Sequence, residues 1–203
     1  MIALVDYGLG NIQAFANIYR RLGKEVCAVQ TPEQLRQATK IILPGVGAFD
    51  WAMNRLNDSG MREVLDDLVL NQKVEVLGVC VGMQIMARSS EEGKLPGLGW
   101  IDAEVVKFDR SKFKGRTQLP HMGWNDAAPI ASDSIFKNID NPRYYFLHSY
   151  YMVVRNSVDT LSVTDYGGDF TSSVRSGNIY GTQFDPEKSH QWGVDLLRNF
   201  SEL

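Results

Sequence analysis

Residues 74–87 read VEVLGVCVGMQIMA, and the reading of this stretch decides the fold. An apolar strand runs through Gly78-Val79-Cys80-Val81-Gly82 into a helical pattern. Gly-x-Cys-x-Gly between a strand and a helix has the layout of a nucleophile elbow, with sulfur in place of the usual serine hydroxyl. A nucleophile there projects from a very sharp turn, and side chains two residues away on either side would collide with the returning backbone. At the start of the helix, free N–H groups and the helix dipole would favour the thiolate of Cys80. The same groups could hold the oxygen of a tetrahedral intermediate, with the amide of Val81 as the natural donor. The plainer alternative is a small apolar core residue, the commonest fate of a free cysteine.

Working outward, the first half of the chain alternates strand and helix. IALVD (2–6) is a strand, and Ile12, Phe15, Tyr19 and Leu22 recur at helical spacing up to a stop at Gly23. EVCAVQ (25–30) is a second strand, in which Cys27 reads as a core residue. Thr31 and Pro32 open a helix, KIILP (40–44) is strand three, and helical patterns near 49–57 and 61–71 lead into strand four. This alternation predicts a parallel sheet covered on both faces. Beyond residue 98 the texture changes. GWIDAEVVKF, RYYFLHSYYMVV, TLSVTDY, DFTSSVRS and NIYGTQF read as strands joined by short turns, which predicts antiparallel hairpins beside the parallel core. A last helix, 189–201, carries Val194, Leu197 and Phe200 on one face. Neither a repeat nor an interdomain linker interrupts the pattern, so residues 1–203 are read as one domain.

Composition excludes several function classes. A formal charge of −3 with scattered Lys and Arg offers no basic face, so nucleic acid is not expected as a partner. The apolar runs are too short to cross a bilayer, and MIALVDYG reads as a first strand and not a signal peptide. Two cysteines, Cys27 and Cys80, make no disulfide framework, which suits a reducing cytoplasm.

PGVGAF (44–49) ends strand three, and strand C-termini share one edge of an open parallel sheet, so this loop is expected beside Cys80. It is not a dinucleotide fingerprint, because Asp50 stands where a third glycine belongs; YGLGNIQ fails the same test at Gln13. A thiolate nucleophile needs a proton carrier, usually histidine. His148, in a strand, reads as a hydrogen-bonded structural residue. His121, in the apolar loop LPHMGWN, reads as structural or interfacial, and His190 as exposed.

Seven stretches occur together in order: DYGLGN (6–11), LPGVGAF (43–49), LGVCVGMQ (77–84), PGLGW (96–100), LPHMGWN (119–125), HSYY (148–151) and QFDPEKS (183–189). Together they resemble the triad-type (class I) glutamine amidotransferases, and within them the glutaminase subunits of imidazole glycerol phosphate synthases and their paralogues. The resemblance covers almost the whole chain. It implies an α/β, flavodoxin-like open sheet, mainly parallel, with helices on both faces and additional antiparallel strands in the C-terminal half. It implies hydrolysis of L-glutamine through a thioester at Cys80, without a cofactor or metal. The ammonia would pass to a (βα)8-barrel synthase subunit of histidine biosynthesis, in a heterodimer. Gly47 and Val81 would frame the oxyanion site, Gln84, Ser149 and Tyr150 would hold the substrate, and Glu187 would orient the general base. His121, Met122, Trp124 and Asn125 would lie at the partner interface, near the ammonia exit. An exposed Met-Gly-Trp loop suits such an interface, since Met and aromatic residues are enriched there.

One position departs from that pattern. His-Pro-Glu is replaced by Asp185-Pro186-Glu187, so a carboxylate stands where the acid–base imidazole belongs. A carboxylate near pKa 3.9 accepts and returns protons poorly at neutral pH, and its charge would raise the thiol pKa. The expectation is a complete glutaminase with impaired turnover. The change reads equally as introduced to trap a complex, as native to a paralogue fed by free ammonia, or as a weakly working carboxyl of raised pKa. Two other functions fit the same residues: a paralogous subunit for amidation of a surface sugar, and an inactive docking subunit. A cysteine peptidase or redox protein would need a peptide groove or a resolving cysteine, and the sequence offers neither.

Overall fold

The computed structural model describes residues 1–113, 117–130 and 134–203. In chain order the strands are β1 (Ile2–Val5), β2 (Val26–Val29), β3 (Lys40–Gly45), β4 (Glu75–Cys80), β5 (Ser89–Ser90), β6 (Ala103–Lys107), β7 (His121–Asp126), β8 (Ala128–Pro129), β9 (Arg143–His148), β10 (Tyr150–Val154), β11 (Thr160–Asp165), β12 (Asp169–Ser176) and β13 (Ile179–Thr182). The α-helices are α1 (Ile12–Arg21), α2 (Pro32–Leu35), α3 (Phe49–Asp58), α4 (Arg62–Asp66), α5 (Val81–Gln84) and α6 (His190–Ser201).

β1, β3 and β4 are apolar and almost wholly buried, as strands covered on both faces must be. Five strands run parallel in the order β2-β1-β3-β4-β13, the doubly wound arrangement of flavodoxin-like sheets. The sheet continues antiparallel through β12, β10 and β6, with β5 at its edge and β11 and β8 branching from β12. α1 starts at Asn11, whose side chain accepts from the Ala14 amide at 3.2 Å, and ends before Gly23 at φ 68°. α1 packs against α6, α3 against α5, and α2 against α4. The buried face of α6 is Gly193, Leu196, Leu197 and Phe200, with Val194 only half-buried. Among the described residues no helix is long and apolar enough to cross a membrane.

Three local readings are corrected. Cys27 is exposed, because β2 is an edge strand and Cys27 sits on its open side. RYYFLHSYYMVV is two strands: β9 pairs with β7 in a separate two-stranded sheet, the chain breaks at Ser149, and β10 enters the main sheet. LPHMGWN is therefore no loop from His121 onward, since β7 uses it as a strand. In addition β13, expected as a hairpin arm, is antiparallel to β12 but also parallel to β4, which makes it the fifth parallel strand.

Candidate active site

Cys80 ends β4 with φ 55° and ψ −116°, a region side chains other than glycine avoid. Its neighbours explain how that strain is imposed. A Cβ on Gly82 would collide with the Leu43 carbonyl oxygen, and one on Gly78 would meet Met86 and the Gly82 carbonyl. The chain can turn this sharply only because both flanking positions lack a side chain. β3 and β4 run in register with Gly45 opposite Cys80, so the loop after β3 reaches the sulfur.

The sulfur borders a cavity of about 320 Å³, small for a ligand site and suited to an amino acid. Its walls bring together most of the residues singled out in the sequence: Gly47 and Val81 from the two strand ends, Gln84, His148, Ser149, Tyr150 and Asp185. Lys188 and the backbone of Leu147 join them. The break at Ser149 has a consequence here, because it turns 148–150 into the cavity between the two sheets.

The electrostatics differ from the expected activated thiolate. Burial, and then the charge of Asp185, push the Cys80 thiol well above its ordinary value; the Val81 amide and the Lys188 ammonium oppose this without winning. α5 is a single turn, so its dipole is too small to reverse the sign. Asp185 is almost fully buried and ion-pairs with Lys188 at 2.7 Å. Burial raises its pKa while the ammonium draws it down, and the net shift is upward. Glu187 lies beside this pair. Its Oε2 is buried without a partner among the described residues, and burial with the Asp185 charge raises its pKa to about 7.

A strained cysteine thus lines a small cavity whose walls mix apolar side chains with a few polar and charged groups. Residues 3–202 match the glutamine amidotransferase class-I family. The chain belongs to that family. Among relatives of this amidotransferase, the imidazole glycerol phosphate synthase subunit HisH of Bdellovibrio bacteriovorus is 54% identical, and that of Leptospira interrogans 51% identical, each over 100% of both chains. A crystal structure of a glutamine amidotransferase shares the fold, with a TM-score of 0.74 at 20% identity over 99% of this chain and 97% of that one.

His121, His148 and Asn125 form a hydrogen-bonded network in which both histidines are buried. His121 Nδ1 lies 3.0 Å from His148 Nε2, and His148 Nδ1 lies 2.8 Å from the Tyr150 carbonyl oxygen. Burial holds both imidazoles neutral, at pKa values of about 4 and about 3. Both are hydrogen-bonded, and neither carries the proton of a cationic acid at neutral pH. Asn125 reaches His121 Nε2 at 3.3 Å from the same strand. On the opposite side of β7, Met122 is 65% and Trp124 38% exposed, and Trp124 stacks on the exposed His190. Sequence reasoning missed Gln183, Lys188 and Tyr7. The first two stand inside QFDPEKS but carried no assigned role. Tyr7, hydrogen-bonded to the Pro44 carbonyl at 2.6 Å, is brought near Cys80 by the β1–β3 pairing alone.

Proposed function

We propose that this protein is the glutaminase subunit of an imidazole glycerol phosphate synthase, working in histidine biosynthesis in the cytoplasm as one domain. The observation that carries the reading is Cys80, held in a strained turn at the wall of an amino-acid-sized cavity, beside Gly47 and Val81. The names of the full-length relatives support the pathway.

In this reading Cys80 Sγ attacks the side-chain carboxamide carbon of L-glutamine. The carbonyl electrons move onto oxygen, where the amides of Gly47 and Val81 stabilise them. Collapse expels ammonia and leaves a glutamyl thioester, which water cleaves to glutamate and the free thiol. Gln84 and the Ser149–Tyr150 segment hold the substrate. The thiol proton must go to Asp185 and return to the departing nitrogen, with Glu187 close behind. A carboxylate paired with Lys188 does this poorly, so turnover is impaired. The exposed Met122–Trp124 face, with His121 and Asn125 behind it, docks a (βα)8-barrel synthase subunit that takes the ammonia.

A second reading, a docking subunit without turnover, is favoured by one observation: the Asp185–Lys188 ion pair ties up the carboxylate. Asp185→His separates the two. With the synthase subunit present, glutaminase turnover should rise by about 10²-fold or more, the usual worth of acid–base assistance. An unchanged rate in the folded variant overturns the catalytic reading.

A further inference from the structure

Gln183 is fully buried, takes no part in the chemistry described above, and lies beside the sulfur. Its Nε2 is 3.9 Å from Cys80 Sγ, and its Oε1 is 3.0 Å from Gln84 Nε2. An amide can be turned either way, so the identity of the atom facing the sulfur has to be derived from its neighbours. The Tyr150 carbonyl can only accept, and Gln84 Nε2 lies 3.0 Å from it. The Gln84 amide nitrogen is thereby committed to that side, and its second N–H reaches Gln183. Gln183 must therefore present its oxygen to Gln84 and its N–H to Cys80. The second lone pair of the same carbonyl takes His148 Nδ1–H. That leaves His148 Nε2 to accept from His121 Nδ1–H, and His121 Nε2 to accept from Asn125. Asn125 is itself committed, because its oxygen accepts from the Asp126 amide and its nitrogen donates to the Asp165 carbonyl. Two arms, one from β7 and one from the sulfur, thus converge on the Tyr150 oxygen with every donor matched to an acceptor.

We infer that Gln183 is a further catalytic residue: its side-chain N–H donates to the Cys80 sulfur and favours the anionic nucleophile, its orientation dictated through Gln84 by the Tyr150 carbonyl. In the thiol form the S–H has a separate acceptor, the Leu147 carbonyl at 4.0 Å, so the sulfur is free to accept from Gln183 at the same time. When the proton leaves, the Leu147 contact is lost, and the Gln183 hydrogen bond becomes charge-assisted and shortens. Asp185 and Glu187 oppose the anion, Lys188 favours it, Tyr7 and the neutral His148 lie near it, and Glu92 and Tyr150 line the same cavity. Gln183 is a neutral donor among these opposed charges.

The inference rests on Cys80 being the nucleophile, but its test needs no glutamine turnover. Alkylation of Cys80 by iodoacetamide is followed against pH on its own peptide by mass spectrometry, which keeps the exposed Cys27 separate. Gln183→Met removes the donor at similar size, and Gln183→Asn draws it back by one methylene without adding a charge. Both should slow the reaction about tenfold at every pH below the thiol pKa, as expected for one hydrogen bond to a charged group. If Gln183→Met does not fold, the smaller neutral change Gln183→Asn still decides. A wild-type alkylation profile in either folded variant overturns the role of Gln183. A slowed profile with no gain in Asp185→His turnover supports the hydrogen bond while removing the glutaminase reading.

Discussion

Asp185, Glu187 and Lys188 occupy one short turn after β13, and their charges are not balanced. Lys188 satisfies Asp185, which leaves Glu187 buried beside a second carboxylate. A carboxyl raised from 4.5 to about 7 keeps its proton in the folded chain after the unfolded chain has lost it. Stability from this group is therefore complete below about pH 4.5 and is lost as pH rises through about 7. Glu187→Gln should remove that loss and stabilise the protein at pH 8 by of order 1–3 kcal/mol, read from urea unfolding at pH 8. Equal stability of the two proteins at pH 8 would contradict the assignment. Asp185 itself was legible in the sequence as a departure from the family pattern. Its pairing was not, because Lys188 is only three residues away and a 3₁₀ turn, which brings such residues together, has no sequence signature of its own.

The β4–α5 turn is the element on which the site depends. Gly82 approaches the end of β3 so closely that a methyl group would overlap the Leu43 carbonyl, and backbone cannot move aside as a flexible side chain can. Gly82→Ala should cost about 3 kcal/mol or more and should displace Cys80 from the cavity wall, seen as a lowered melting temperature together with altered Cys80 alkylation. A variant with unchanged melting behaviour would mean that the two strand ends are not packed as tightly as described. The elbow was readable from Gly-x-Cys-x-Gly, since the pattern states the steric requirement directly. The division of 143–154 between two sheets was not. β9 and β10 are both rich in aromatic residues, and nothing local marks Ser149 as the point where one partner strand is exchanged for another.

At the level of the whole molecule, the buried His121–His148 pair, opposite each other on β7 and β9, packs against Phe170 of the main sheet among Phe108, Phe146 and Tyr166. Both histidines stay neutral in the fold but take up protons when unfolded, so stability is complete above about pH 6.5 and falls as pH drops toward about 4 and about 3. Unfolding free energies of the Asp185→Asn/Glu187→Gln protein, in which both opposing carboxyls are absent, should fall by roughly 2–5 kcal/mol between pH 7 and pH 4.5. A flat profile would show that the pair is accessible to protons. Periodicity and motif spacing were enough to specify the alternating parallel core, the elbow at Cys80 and the loop at Gly47, because each depends on residues adjacent along the chain, and the family resemblance singled out Asp185. Only the tertiary structure decided that the thiol is held protonated, that Lys188 neutralises Asp185, and that Gln183 faces the sulfur. Those outcomes depend on burial and on partners up to a hundred residues apart, and neither is encoded in any local pattern.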